Sequence, residues 1–338
     1  MAVLVGCGSG EANPTPEEMP RVETWAGSDN AVVGEGALLD GPALEARFSE
    51  PAGLAADAEG NVFVADFGNH AIRKVSPDGS VATFAGSGQP GLKDGQGTEA
   101  EFNGPTSVAI DRAGRVFVAD TGNHRIRVIE PDGTVTTLAG SGPSGLGRGT
   151  FADGLAATAR FNLPKGIAVD AEGNVFVADT DNLRIRVIRD TGIVETYAGT
   201  GDIGSADGPR LKATLGHIQQ IALDEQGGLW IADQSNRLLR RITPDGSLVT
   251  VVRDGLGYLA GVTSIPGGLV AVGDTSSHVI RIYNGDGALV TAFGSGRQGY
   301  RDGASSLAEF SNPAGLVSWR GLILVADSGN HRLRVLFP

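Results

Sequence analysis

The chain has 338 residues, enough to bury roughly three quarters of the surface that its unfolded form exposes. Its 27 basic and 39 acidic side chains leave a net charge of −12, which disfavours nucleic-acid phosphates and anionic membrane surfaces as direct partners. One Cys excludes an intrachain disulfide and a Cys-based zinc site, and no apolar run reaches the length of a membrane-spanning helix. Fifty-two glycines among short apolar runs point to tight turns between strands.

Residues 1–20 read as a flexible tether. Within them LVGC, Leu4 to Cys7, resembles the lipobox of bacterial lipoproteins, in which a small residue precedes a Cys that becomes lipidated. Gly8 to Pro20 is small, polar and Pro-containing, as tethers are. No basic segment and only a stub of apolar chain precede Cys7. The expectation is lipid attachment at Cys7 and a cell-envelope protein, lipid-anchored or otherwise periplasmic or extracellular, with a cytoplasmic location as the alternative. The membrane would be reached only through the lipid.

Residues 21–338 are repetitive. VFVADFGNHAIRKV begins at Val62, and five variants of it begin at Val116, Val175, Leu229, Val270 and Ile323. Each unit has an Asp and, seven residues on, an Arg: Asp66 and Arg73, Asp120 and Arg127, Asp179 and Arg186, Asp233 and Arg240, Asp274 and Arg281, Asp327 and Arg334. A catalytic group is needed once, so a pair present six times is first a structural element. Successive Asp residues lie 53 to 59 apart, except for 41 between Asp233 and Asp274.

One unit, from Asn103 to Gly142, divides into SVAI, RVFVAD, RIRVIE and TVTTLAG, separated by the turn signals DRAG, TGNH and PDG. Four antiparallel strands make a small twisted sheet that cannot bury both faces alone. Radial stacking of six such sheets solves this, which predicts an all-β, six-bladed β-propeller; a linear solenoid has shorter repeats. The last unit stops after its third strand. Its missing fourth strand should read like VTTLAGS, and VETWAGS at Val22 to Ser28 does. The N-terminal strand is therefore expected to complete the last blade and close the ring. Burial of the repeated Arg requires a carboxylate or carbonyls, and the repeat Asp is the natural partner. The Asn and His before the third strand are expected to bond turn backbone.

The units resemble NHL repeats, named for their Asn-His-Leu run. The pattern P-x-G-x-A-x-D-x-x-G-x-V-x-V-A-D-x-x-N-H-x-I-R-x-I is nearly complete in the first three copies. The fourth departs with SNRLL, and in the fifth Gly273 replaces the Ala and Ser277 the Asn. The resemblance implies a six-bladed propeller that serves mostly as a binding module. It also admits enzymes, such as a peptide-amidating lyase and, more distantly, gluconolactonase-type hydrolases. Some relatives bind RNA through basic faces, an option that the acidic charge opposes.

Loops leading into the first strands converge at one mouth of a propeller's channel. Their polar members are Thr106, Ser107, Lys165, His217, Gln219 and Gln220, and the candidate ligand-binding set is Thr106, Lys165, His217, Gln219 and Gln220. Of the five His, only His217 lies outside the repeat position held by His70, His124, His278 and His331. A shared DG, at Asp40, Asp94, Asp153, Asp207 and Asp302, reads as a turn and, as a set, as an acidic face with weak Ca²⁺ affinity. No nucleophile–base pair or carboxylate pair is unique to one blade, so no catalytic residue and no metal ligand is assigned. The expected function is a monomeric, non-catalytic binding or scaffold module with a protein, peptide or small-ligand partner, no nucleic acid and no cofactor. The alternative is a Zn- or Ca-dependent lyase or lactonase-type hydrolase. The short spacing between the fourth and fifth units should notch the rim.

Overall fold

The computed structural model describes residues 19–28, 38–145, 147 and 149–338. Cys7 and the proposed tether up to residue 18 lie outside the described residues. The rest forms six antiparallel sheets arranged as the blades of a propeller. Blade one illustrates the plan: Pro51–Ala56 innermost, then Val62–Asp66, Ala71–Val75 and Ser80–Ala85 outward. The second strand is buried along its whole length in four blades, and in all but its first residue in the other two, because both of its faces meet neighbouring blades. Apolar residues at both alternating positions make this possible: Val64 and Phe63 face opposite neighbours.

Six apolar clusters, one at each blade junction, make up the core. The cluster joining blades six and one contains Ala26, Leu324 and Leu333 with Leu54 and Val64. The ring is closed as the sequence predicts. Arg21–Ala26 pairs antiparallel with Arg332–Phe337, in register Val22 with Leu336 and Thr24 with Arg334. Trp25 stacks against Trp319 with ring centroids 5.1 Å apart, and the Trp319 indole donates to the Gly60 carbonyl of blade one at 3.0 Å.

Two details differ from the expectation. Five blades carry a fifth, outermost strand of two residues: Gly41–Pro42, Gly95–Gln96, Gly154–Leu155, Gly208–Pro209 and Gly303–Ala304. Each follows the Asp of a DG sequence. Blade five, Leu259 to Phe293, keeps four strands, the last being Leu289–Phe293. The shortened connection before it lacks the residues that make a fifth.

The repeat His residues also act across blades instead of within their turns. His70, His124, His278 and His331 adopt left-handed backbone with φ near 50–55°. This turns each ring so that its Nδ1 accepts a backbone N–H of the next blade, from Gly104, Leu163, Asn312 and Glu50 respectively. Burial holds His70, His278 and His331 below the usual imidazole pKa, which suits the acceptor role. The repeat Asn, such as Asn69 and Asn123, donates to the carboxylate of its own blade's Asp.

Candidate functional site

The repeated Asp–Arg pairs are a scaffold. In every blade the Arg Nη1 donates to the Asp seven residues earlier, at 2.5 to 3.3 Å. Five of the six arginines are fully buried. Their other edge is held by the DG aspartates. Nη2 reaches Asp40, Asp94, Asp207 and Asp302 at 2.6–2.8 Å, and Arg186 contacts Asp153 in the same way. This corrects the reading of the DG set as a free acidic face, because each carboxylate is turned onto a buried guanidinium. Burial pushes the pKa of Asp66, Asp120, Asp233 and Asp327 up against the pull of these cations, and that of Asp179 up to about 6.

The channel is built by the inner strands, one residue layer at a time. The third residues of the six are Gly53, Ser107, Gly166, Gln220, Gly261 and Gly315. Glycine is required where the strands approach most closely. A Cβ on Gly315 would lie 2.1 Å from the Ala52 carbonyl, and one on Gly166 would lie 2.8 Å from both Cα and Oε1 of Gln220. The two exceptions meet each other. Ser107 Oγ donates to Gln220 Oε1 at 3.2 Å, with both side chains buried. Gly166 leaves room for this bridge. On one side of it is a cavity of about 240 Å³ ringed by the fourth residues, Leu54, Val108, Ile167, Ile221, Val262 and Leu316.

On the other side, at the mouth where the inner strands begin (the top face), the second residues form a ring of two halves. Thr106, Lys165 and Gln219 are polar, and Ala52, Ala260 and Ala314 are bare. The ring lines a cavity of about 100 Å³, with Gln220 at its floor. Lys165 Nζ donates to Gln219 Oε1 at 3.0 Å, and Gln219 Nε2 donates to Gln234 Oε1 at 2.8 Å. Burial lowers the Lys165 pKa, and the Asp181 carboxylate works against that shift. Thr106 Oγ1 is hydrogen-bonded to Thr121 Oγ1 at 2.6 Å and lies 3.1 Å from the Lys165 carbonyl.

Four of the five candidates, Thr106, Lys165, Gln219 and Gln220, therefore share one cavity. His217 does not line it. It sits on the rim, half-exposed, with Nε2 3.9 Å from Asp181 Oδ1 and Nδ1 3.3 Å from Ser235 Oγ. Sequence reasoning missed the neighbouring groove of about 400 Å³ lined by Gln234, Tyr258, Thr275, Ser276 and Asn312. Tyr258 and Asn312 stand at the positions of blades five and six that His217 fills in blade four, so alignment of the repeats held a signal for it. The Gln219–Gln234 hydrogen bond joins the cavity to the groove. Among the described residues, no three His, Cys, Asp or Glu side chains are grouped as a metal site needs.

Family models match parts of the repeat region. The NHL repeat model matches residues 48–75, 102–129 and 310–336, and the teneurin NHL domain model matches residues 147–224. NHL repeat-containing protein 2 of Gallus gallus is 26% identical over 323 residues, which cover 85% of this chain but only 38% of that protein. Among solved structures, an auxiliary nutrient binding protein from Bacteroides thetaiotaomicron superposes with a TM-score of 0.67 at 15% identity, over 94% of this chain and 76% of the other. A streptogramin B lyase superposes with a TM-score of 0.60 at 13% identity, over 96% and 99%. Those identities make both likenesses ones of fold. With its six interlocked sheets and the recurring AD…NH…R signature, the chain is a six-bladed β-propeller that carries NHL repeats at residues 48–75, 102–129 and 310–336.

Proposed function

We propose that this propeller is a non-catalytic binding module that takes an extended, peptide-like ligand across its top face, with a carboxylate of the ligand at Lys165. The observation that carries this reading is the concentration of asymmetry on one face. The polar half of the mouth ring, the Ser107–Gln220 bridge and the blade-five groove all depart from the repeat, and they adjoin. Lys165 gives one N–H to Gln219 and keeps two for a ligand. Gln219 and Gln234 present the amide donors and acceptors that a peptide backbone uses, and Tyr258 supplies an exposed aromatic face. An unpaired ligand carboxylate meets a cation here on an otherwise acidic protein, which favours recognition of a chain terminus over general charge attraction.

A second reading, a lyase or lactonase-type hydrolase, draws on the His217–Asp181 pair, an imidazole and a carboxylate facing each other across two blades. Binding and catalysis separate in one experiment. A fluorescent peptide library is presented with free or amidated C-termini and followed by polarisation and by mass spectrometry of the products. The binding reading expects selection of free termini, loss of capture in Lys165→Gln and Tyr258→Ala, unchanged melting temperatures and unaltered peptides. Equal capture of amidated peptides, or capture surviving both substitutions, refutes it. Product formation that His217→Ala abolishes would establish the enzymatic reading instead. We further propose that Cys7 tethers the module at a cell envelope. Behind a lipoprotein leader, Cys7→Ser should move the protein from the detergent to the aqueous phase.

A further inference from the structure

In five blades the outermost two-residue strand is an occupant, and its binding mode is the same each time. An Asp places one carboxylate oxygen on Nη2 of the blade's buried Arg. In blades one, two, three and six its other oxygen accepts the backbone N–H of a Thr in the fourth strand, Thr83, Thr137, Thr196 or Thr24. The following Gly and its successor then pair with the start of that strand, as Gly41 and Pro42 do with Val81 and Ser80. Each guanidinium also donates to backbone carbonyls, for Arg127 those of Glu101 and Lys93.

Blade five has the receptor half of this arrangement without the occupant. Its Arg281 keeps the Asp274 contact at 2.5 Å and, among the described residues, makes no other. The Arg281 side chain is 20% exposed, against 0% for its five equivalents. Among the described residues, the outer edge of the fourth strand, Leu289–Phe293, is unpaired. Leu289 is 56% exposed on it, where its counterpart by strand pairing, Val81 of blade one, is 3% exposed. A bulge lies between the Ile282 and Tyr283 pairings, and in blade one it lies between those of Ile72 and Arg73. The shift sets Ala292 opposite Arg281, where Thr83 stands opposite Arg73 in blade one.

We propose that the outer edge of blade five receives, in trans, an extended acidic segment of a partner protein with an Asp-Gly sequence, the Asp on Arg281 and the residues after it paired with Leu289–Phe293. The remaining donors of Arg281 are placed to bind an anion and the open ladder to pair with a strand, and the five internal occupants share an Asp-Gly sequence that does both on this scaffold. Leu289 would be covered as its counterpart Val81 is. This surface is distinct from the top face, so each proposal stands or falls alone.

The probe is a fluorescein-labelled peptide of this chain's own residues 90–101, PGLKDGQGTEAE, the occupant of blade two, together with its Asp94→Asn and scrambled forms. Binding is read by polarisation, and the contact by hydrogen exchange of the full chain. The expected result is saturable binding that protects Leu289–Phe293, falls about tenfold or more with the Asn peptide or with Arg281→Met, and is unaffected by Lys165→Gln. The Asn peptide tests the charge with the protein unaltered, whatever Arg281→Met does to folding. Absence of binding at millimolar peptide, equal affinity of the Asp and Asn forms, or protection elsewhere overturns the proposal. A concentration-dependent dimer abolished by Arg281→Met would assign the edge to a second copy and overturn the choice of partner.

Discussion

Truncating the same repeat Arg should cost very different amounts in blades two and five. Arg127 is fully buried; it holds Asp120 at 2.9 Å and Asp94 at 2.6 Å, and caps the carbonyls of Glu101 and Lys93. Arg127→Ala leaves Asp120 buried without a counter-charge, a loss that typically costs about 3–5 kcal/mol. Two carbonyls stripped of donors add about 1 kcal/mol each. Part of this is offset. Burial already pushes Asp120 up, so without its cation it can take a proton, and Asn103 and Asn123 still donate to it. A net loss of about 4 kcal/mol follows. Arg281→Ala also leaves a buried Asp274 without its cation, but Gly257, Ser276 and Ser277 still donate to that carboxylate, no carbonyls are stripped, and the Arg281 side chain is already partly solvated, so the cost should be smaller, about 2 kcal/mol. Urea unfolding followed by fluorescence of Trp25, Trp230 and Trp319 measures both. Equal shifts of the two midpoints would refute the argument that the fifth strand, and not the Asp–Arg pair alone, makes these arginines structural.

Two further outcomes test the ring and its staples. Deleting residues 1–28 removes Val22 and Ala26 from the core and exposes the edge of Arg332–Phe337, so it should lower the melting temperature and promote aggregation. Deleting residues 1–18 should leave the melting temperature unchanged; equal melting temperatures would sink the closure. The His staples predict a pH dependence. His70, His278 and His331 have folded pKa values below the unfolded value of about 6.5. Their contribution is thus fully present above that value and is lost as pH falls through it toward the folded pKa. The triple His→Asn variant keeps a residue tolerant of left-handed backbone. It should melt lower than the parent at pH 7.5 and show a smaller further drop by pH 5.5. Parallel melting curves for the two proteins across that range would exclude the staples as titrating groups.

The fold was legible because it is periodic. Strand spacing, turn residues and the resemblance of VETWAGS to VTTLAGS are all local text, and closure needs only their comparison. The intrablade pair was legible for a related reason. A hairpin with its turn after the Asp returns the third strand alongside, and seven residues later the guanidinium reaches back to that carboxylate. The second carboxylate was missed although its signal was present. Each DG Asp precedes its Arg by 32 or 33 residues, a constancy that a turn motif does not require. Other contacts leave no such trace. The bond from His70 to Gly104 spans 34 residues between blades and depends on a left-handed φ at the His. Ser107 meets Gln220 across 113 residues because Gly166 stands aside in the blade between them.

That contrast bears on where function resides. A group repeated six times is held by the ring's own mechanics, and most of its bonding capacity is consumed there, as the DG aspartates show. A group without counterparts is free of that demand. Lys165 occupies a position that Ala fills in three blades, and stability gives no reason to desolvate an ammonium there. Arg281 presents the converse case. It is a repeat residue whose repeat partner is missing, so the unfilled bonding follows from the symmetry itself. The mouth is thus an addition to the pattern and the blade-five edge a subtraction from it. A ligand can exploit either, the first by meeting a new side chain and the second by replacing an absent one.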